Sequence, residues 1–197
     1  MTADAHPVRA DRARVARPNG WWGMVIFITT EATLFGTIFG TYFYLRFRNV
    51  HWPPPGVPKP EVLVPVILTA VLVATSIPVQ LAYRRARAGR VVTARRLLLL
   101  ALFVQVGYFA MQMSLFLDDL ARFSPHESAY ASIYFTMIGA HHFHVVIGML
   151  LELFLFLRLL RGLTSYRLVG LRSTALYWHV VNVLALCVLA VQLYAAL

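Results

Sequence analysis

The sequence predicts an all-α polytopic membrane protein, a bundle of five transmembrane helices with the N-terminus inside and the C-terminus outside. Three observations lead there. Of the 197 residues, 59% are hydrophobic and 13% charged, whereas soluble domains run at about 45–50% apolar and about 25% charged. The mean hydropathy is +0.68. The apolar residues gather into five runs, each long enough for the roughly 20 residues that a membrane-crossing helix needs. None of the runs alternates polar and apolar with period two, as a barrel strand would. The net charge of +10 sits in clusters between the runs. That is a pattern of membrane topology, and it argues against nucleic acid as a partner. The same composition argues against a soluble enzyme, a disordered chain and a coiled coil.

The elements follow in order. Residues 1–20 form a polar, basic arm that reads as cytoplasmic. The apolar run behind it is longer than a signal-peptide core and has no A-x-A cleavage site after it. A transmembrane domain then covers 21–197, with spans over about 21–47, 61–83, 97–117, 125–160 and 174–197. The first two spans are joined by His-Trp-Pro-Pro-Pro-Gly-Val-Pro-Lys-Pro (51–60), which predicts a stiff, extended connection. Pro60 and Glu61 suit the first turn of the second helix, and Pro78 predicts a kink inside it. Ser124-Pro125-His126-Glu127 reads as a capping box with proline at the first helical position, which starts the fourth helix at Pro125. Gly162 stands where a left-handed residue would end it. The 37 residues from Pro125 to Arg161 make a helix of about 55 Å, longer than a bilayer core of about 30 Å, so tilt or protrusion is expected.

Charge sets the orientation. With the N-terminus inside, one side carries Arg9, Arg12, Arg14, Arg17, the cluster from Arg84 to Arg96, and Arg158, Arg161, Arg167 and Arg172. The other side carries Arg46, Arg48, Lys59 and Arg122. The basic excess on the first side predicts N-in, C-out.

Polar residues inside the spans are the candidates for chemistry, because each is costly unless it faces protein or water. Glu31 lies ten residues past Trp21, about 15 Å along the helix and near mid-bilayer. It reads either as a proton-handling or lipid-facing carboxyl or as a neutral donor that fixes helix packing. Ala32, Gly36 and Gly40 recur every four residues, a small-residue face for close helix approach. On the fourth span, His141 and His144 are three residues apart and share a face, with Tyr134, Gly148 and Glu152 near it. This stripe is compatible with metal or haem ligation, with a proton relay, or with interhelical hydrogen bonding that includes a bond to Glu31. His142 points elsewhere. Trp21 and Trp22, and the Tyr177-Trp178-His179 run, fit an interfacial aromatic belt. Asn182 needs a partner inside the bundle. Asp118, Asp119 and Glu127 read as a solvated acidic loop. Cys187, the one cysteine, reads as a small buried hydrophobe. No P-loop, dinucleotide fingerprint, HExxH or CxxC motif occurs.

Four stretches together resemble subunit III of haem–copper respiratory oxidases in its five-helix bacterial form. Gly23-Met24-Val25-Ile26-Phe27 followed by Glu31 is similar to that family's Gly-Met-x-x-Phe-x-x-x-Glu. Tyr130-Ala131-Ser132-Ile133-Tyr134-Phe135 is similar to its Tyr-Gly-Ser-x-Phe-Phe. Gly139-Ala140-His141-His142-Phe143-His144-Val145 is similar to its Gly-Phe-His-Gly-Leu-His-Val, and Tyr177-Trp178-His179 to its Tyr-Trp-His. The likeness runs from residue 21 to 197. It departs at Asn182, where the family usually has an acidic residue, and at Ala185, where it has tryptophan. It departs also at Ala131 and His142, where glycine is usual, and at Glu152, which has no counterpart.

The resemblance implies a non-catalytic subunit of a terminal oxidase, in which subunit I reduces oxygen to water and pumps protons. It implies no catalytic site, haem, copper or other metal in this chain, with haem and copper in partner subunits. It implies contacts with subunit I above all, with subunit II and other oxidase subunits, and with structural phospholipid, in a bacterial inner membrane. Glu31 would be the family's carbodiimide-reactive intramembrane carboxyl, supporting proton uptake. His141, His144, Glu152, Tyr134, Trp178, His179, Asn182, Gly36 and Gly40 would serve helix packing and a polar network. The electron donor stays open between cytochrome c and quinol. Alternatives are a small proton channel or transporter built on Glu31 and the His141–Glu152 stripe, a membrane cytochrome, or the subunit-III-like partner of a nitric oxide reductase.

Overall fold

The computed structural model describes residues 19–57 and 59–196. The basic arm with Arg9, Arg12, Arg14 and Arg17, and the last residue of the fifth span, lie outside the described residues. The chain is helical, with no strand among the described residues. The elements are α1 (Asn19–Arg48), α2 (Leu63–Ala74), α3 (Ser76–Arg87), α4 (Val91–Arg122), α5 (Ala129–Leu160) and α6 (Ser165–Ala196). With α2 and α3 taken as one span (Leu63–Arg87), five helices are long and apolar enough to cross a membrane. One end of the bundle carries the proline-rich 49–62 connection. The other carries the arginine clusters around residues 84–96 and 158–172.

Several boundaries differ from those read off the sequence. The third helix begins at Val91 and the last at Ser165, earlier than 97 and 174. An apolar run marks what lies in hydrocarbon, whereas backbone hydrogen bonds continue through any residue of fair helix propensity. Asp118 and Asp119 consequently lie in the last turns of α4 and not in a connection.

The capping-box turn forms but does not propagate. Ser124 N–H donates to Glu127 Oε1 at 2.9 Å and Glu127 N–H to Ser124 O at 3.1 Å. Ser128 then turns extended and caps the helix itself, its Oγ accepting from Ala131 N–H at 3.1 Å. Two overlapping start signals compete, and α5 starts at Ala129 from the second. At its other end Gly162 has φ +96° and its N–H bonds Leu159 O at 3.0 Å, as a left-handed cap requires. The Arg95 side chain also donates to Leu159 O, at 3.0 Å from Nε and again from Nη2.

The predicted kink at Pro78 is an interruption at Thr75. Proline cannot donate to the carbonyl four residues back, which is Ala74. The helix ends there, Thr75 N–H reaches Leu72 O at 3.1 Å, and α3 resumes at Ser76. The proline-rich connection is folded back, not extended. Pro54 O accepts from Val57 N–H at 3.1 Å around Gly56, φ +93°, the position of a type II turn that demands glycine after proline. Trp52 lies against Tyr130 with ring centroids 5.0 Å apart, and its Nε1–H donates to Tyr42 OH at 2.9 Å.

Packing is arranged around α6. It touches α1, α2, α3 and α5, and it is the most buried span, while α1 is the least. The α2/α3 span, α4, α5 and α6 make a four-cornered bundle with α4 and α6 on the diagonal, and α1 lies against α5 and α6. The α5–α6 corner depends on Gly148. A Cβ there would meet Trp178 Cε3 and Cζ3 at 2.6 Å, and Trp178 is fully buried. Tyr177 and Trp178 are thus interior residues and not an interfacial belt. A Cβ at Gly36 or Gly40 would meet nothing within 4 Å, so the small-residue face of α1 packs on no helix among the described residues. Cys187 is exposed on α6, not buried.

A Gly148→Ala substitution should lower stability by about 1–3 kcal/mol through overpacking against the indole. Gly36→Ala, in open space, should leave stability unchanged or raise it slightly. Thermal unfolding in detergent of the two variants checks the contrast.

Candidate functional site

Four groups of polar side chains tie the spans together, each built by two or more helices. The first joins α1 to α5. Glu31 Oε2 lies 2.5 Å from His144 Nε2, and His144 Nδ1 lies 2.6 Å from Ala140 O. The carbonyl can only accept, so Nδ1 carries its hydrogen. At 2.5 Å the Glu31 carboxyl and His144 Nε2 are within hydrogen-bond distance, which ties α1 to α5. Aromatic rings shield the pair. Phe35 stands edge-on to the imidazole at 5.2 Å between centroids. Tyr177 stacks near Phe27 and donates its hydroxyl to His144 O at 3.1 Å. The carboxyl keeps 18% of its side chain exposed while the histidine keeps 4%, so Glu31 reaches the outer surface of the bundle at the edge of α1.

The second group joins α4 to α5. Glu152 and Gln105 are both fully buried, and Gln105 Nε2 lies 3.1 Å from each carboxyl oxygen. The third lies where α6 crosses the α2/α3 break. Trp178 Nε1–H donates to Thr75 Oγ1 at 2.8 Å. His179 contacts Ser76 Oγ at 3.1 Å through Nδ1 and Gln80 Oε1 at 3.2 Å through Nε2. Asn182 Nδ2 donates to Ser76 Oγ at 2.5 Å. The broken helix thus presents Thr75 and Ser76 as partners, in the way interrupted membrane helices recover their polar balance. The fourth is at the proline-rich end, where Tyr134 OH donates to Asp119 Oδ2 at 2.6 Å.

Among the residues singled out from sequence, Glu31 meets His144, and Trp178, His179 and Asn182 gather at the helix break. Tyr134 and Glu152 find partners on α4. His141 and His144 do not act together, because three helical residues are about 60° short of a full turn. His144 reaches α1. His141 lines a small cavity with Thr69, Tyr108 and Gln112. His142 packs its ring edge-on to Phe116 and Phe109, at 5.4 and 6.0 Å. Gly36 and Gly40 belong to none of the groups. Among the described residues no three His, Cys, Asp or Glu side chains converge as a metal site would require. Gln105, Thr75, Ser76 and Gln80 were missed, and Asp119, read as part of a solvated loop, partners Tyr134 instead. Gln105, Tyr108, Gln112 and Asp119 sit at helical spacing on α4, a stripe that the rule applied to α5 would have found.

A family model described as cytochrome c oxidase subunit III matches residues 11–196. The chain is 32% identical over 169 residues to cytochrome c oxidase subunit 3 of Pisaster ochraceus, covering 82% of this chain and 64% of that one. It is 30% identical over 176 residues to the same subunit of Lumbricus terrestris, covering 84% and 66%. It is also 30% identical over 193 residues to cytochrome bo(3) ubiquinol oxidase subunit 3 of Pseudomonas aeruginosa, covering 96% and 92%. The chain therefore spans just under two thirds of the length of the first two relatives and nearly all of the third.

Replacing Gln105 by leucine strands a buried carboxyl and should destabilise the chain by about 1–3 kcal/mol. The double variant Gln105→Leu/Glu152→Leu, which removes both polar partners, should recover most of that loss. Unfolding midpoints of the three proteins decide it, and a double variant as weak as the single would show that the pair is not the reason.

Proposed function

This chain belongs to the cytochrome c oxidase subunit III family, and from that premise we propose that it is the non-catalytic third subunit of a haem–copper terminal oxidase in a bacterial inner membrane. It stabilises the complex, supports proton uptake by the catalytic subunit, and binds phospholipid. Oxygen reduction, haem and copper belong to the partner subunits. The observation that carries the reading is the way the polar residues are used. Glu31, His144, Glu152, Trp178, His179, Asn182 and Tyr134 are each engaged in helix-to-helix contacts, which suits a scaffold.

Two further features support it. α1 leaves a face of small residues, Gly36 and Gly40 among them, without contact inside this chain. Such a face suits a helix of another membrane subunit, with subunit I as the main contact and subunit II beside it. At the arginine-rich end a cavity of about 200 Å³ lies between α1, α5 and α6, lined by Gly20, Met24, Phe154, Arg158, Arg167 and Thr174 among others. Its apolar wall suits an acyl chain and its arginines a phosphate headgroup. That end is the cytoplasmic one by the positive-inside rule, which gives N-in, C-out. Relatives named for cytochrome c oxidase and for ubiquinol oxidase both match, so the reading covers a donor of either kind.

Purification from native membranes in mild detergent, through a tag on the N-terminal arm, tests the proposal. Haem bands should arrive with a larger multi-span subunit, and stripping this chain off should leave the colour with the partner. A colourless chain running alone would overturn it. Glu31→Gln should leave assembly intact and change the number of turnovers before inactivation severalfold. In a proton channel or transporter the same change should abolish transport.

A further inference from the structure

We propose that a file of water enters the bundle at the proline-rich end, runs inward between α2, α4, α5 and α6, and terminates in mid-span on His141 and His142. The proposal does not depend on the oxidase reading. It starts from a difference among the histidines. Both ring nitrogens of His144 and both of His179 have protein partners. All four ring nitrogens of His141 and His142 have none, although the two residues are only 4% and 3% exposed. A neutral imidazole carries one N–H donor and one lone pair, and burying both unmet forfeits their full solvation.

Both unmet rings line one cavity. The cavity has room for water centres over about 10 Å³ and is walled by Thr69, Tyr108, Gln112, His141, His142 and Gln192 among others. That volume holds about one water, and these polar walls supply the partners a buried water needs. A second cavity of about 50 Å³ shares Pro65, Gln112, Ile138 and Gln192 with it. This one is lined further by Glu61, Asp118, Asp119, Arg122 and Tyr134 at the end of the bundle. Glu61, Asp118 and Arg122 are exposed there, so the outer chamber faces solvent and the inner one faces the histidines. The stripe Gln112, Tyr108 on α4 continues this polar wall inward at helical spacing. A file of water here puts two membrane-embedded imidazoles in proton exchange with the aqueous phase at that end.

Silver ion tests the file, because it is of nearly water size, reacts with thiols in water and does not enter hydrocarbon. Thr69→Cys and Val188→Cys place near-isosteric thiols on the inner chamber, and Gln112→Cys marks the junction. The native Cys187, exposed on the outside of α6 next to Val188, is the internal comparison. The full chain is held in lipid nanodiscs, and residual thiol is read by mass after denaturing alkylation. The inner-chamber thiols should be blocked by silver at least tenfold faster than Cys187. Adding Ile138→Trp, which fills the wall shared by both chambers, should bring them down to the rate of Cys187. If the folded one of Thr69→Cys and Val188→Cys reacts no faster than Cys187, the histidines are dry and the proposal fails. It fails equally if Ile138→Trp leaves the fast rate untouched, since the water would then come by another route.

Discussion

Hydrocarbon offers no hydrogen-bond partner, so each polar side chain carried into a span must be met by a carbonyl of its own helix, by another helix or by trapped water. Much of the architecture follows from that constraint. Glu31 holds α1 against α5, Gln105 and Glu152 hold α4 against α5, and Tyr134 and Asp119 close the same seam at its end. The break at Thr75 frees side-chain partners for Trp178, His179 and Asn182, and so couples α6 to the span that crosses it. Apolar packing cannot choose among these arrangements, because lipid tails are as apolar as leucine. The polar contacts give the helices their order and register.

Close approach is the second requirement, and it is local. Gly148 admits the fully buried Trp178 ring, which brings α5 and α6 together where Tyr177 also spans to His144 O. α1 has no comparable site. Its Gly36 and Gly40 face outward, and it is held by the Glu31–His144 contact and by aromatic rings such as Phe35 and Tyr42. A helix held so lightly on one side is suited to being clasped from the other.

Much of this was legible in the sequence. Five apolar runs sufficed for five spans, and Glu31, His144 and Glu152 stand out in the sequence as polar residues where helices meet. The end of α5 at Gly162 was readable because a positive φ demands glycine. What was not legible had physical reasons. Ser124 and Ser128 both offer a start to α5, and local signals do not rank them. Pro78 announces a disruption, but the carbonyl it orphans lies four residues earlier. The Gly36–Gly40 face and Gly148 are the same chemistry in sequence, and only the tertiary contact tells an outward face from an inward one. The α4 stripe was missed because glutamine and tyrosine are quieter markers than histidine and glutamate.

The account rests on interior polar pairs acting as ties between helices, and the Glu31–His144 pair tests this most directly. A double-mutant cycle on Glu31→Gln and His144→Gln, read from the unfolding free energy of the purified protein, isolates their mutual term. Membrane hydrogen bonds measured in this way average about 0.6 kcal/mol and reach about 1.7 kcal/mol. A favourable coupling within that range is predicted. Strict additivity of the two single losses would contradict the account, because Glu31 would then stand beside His144 without holding α1 in place.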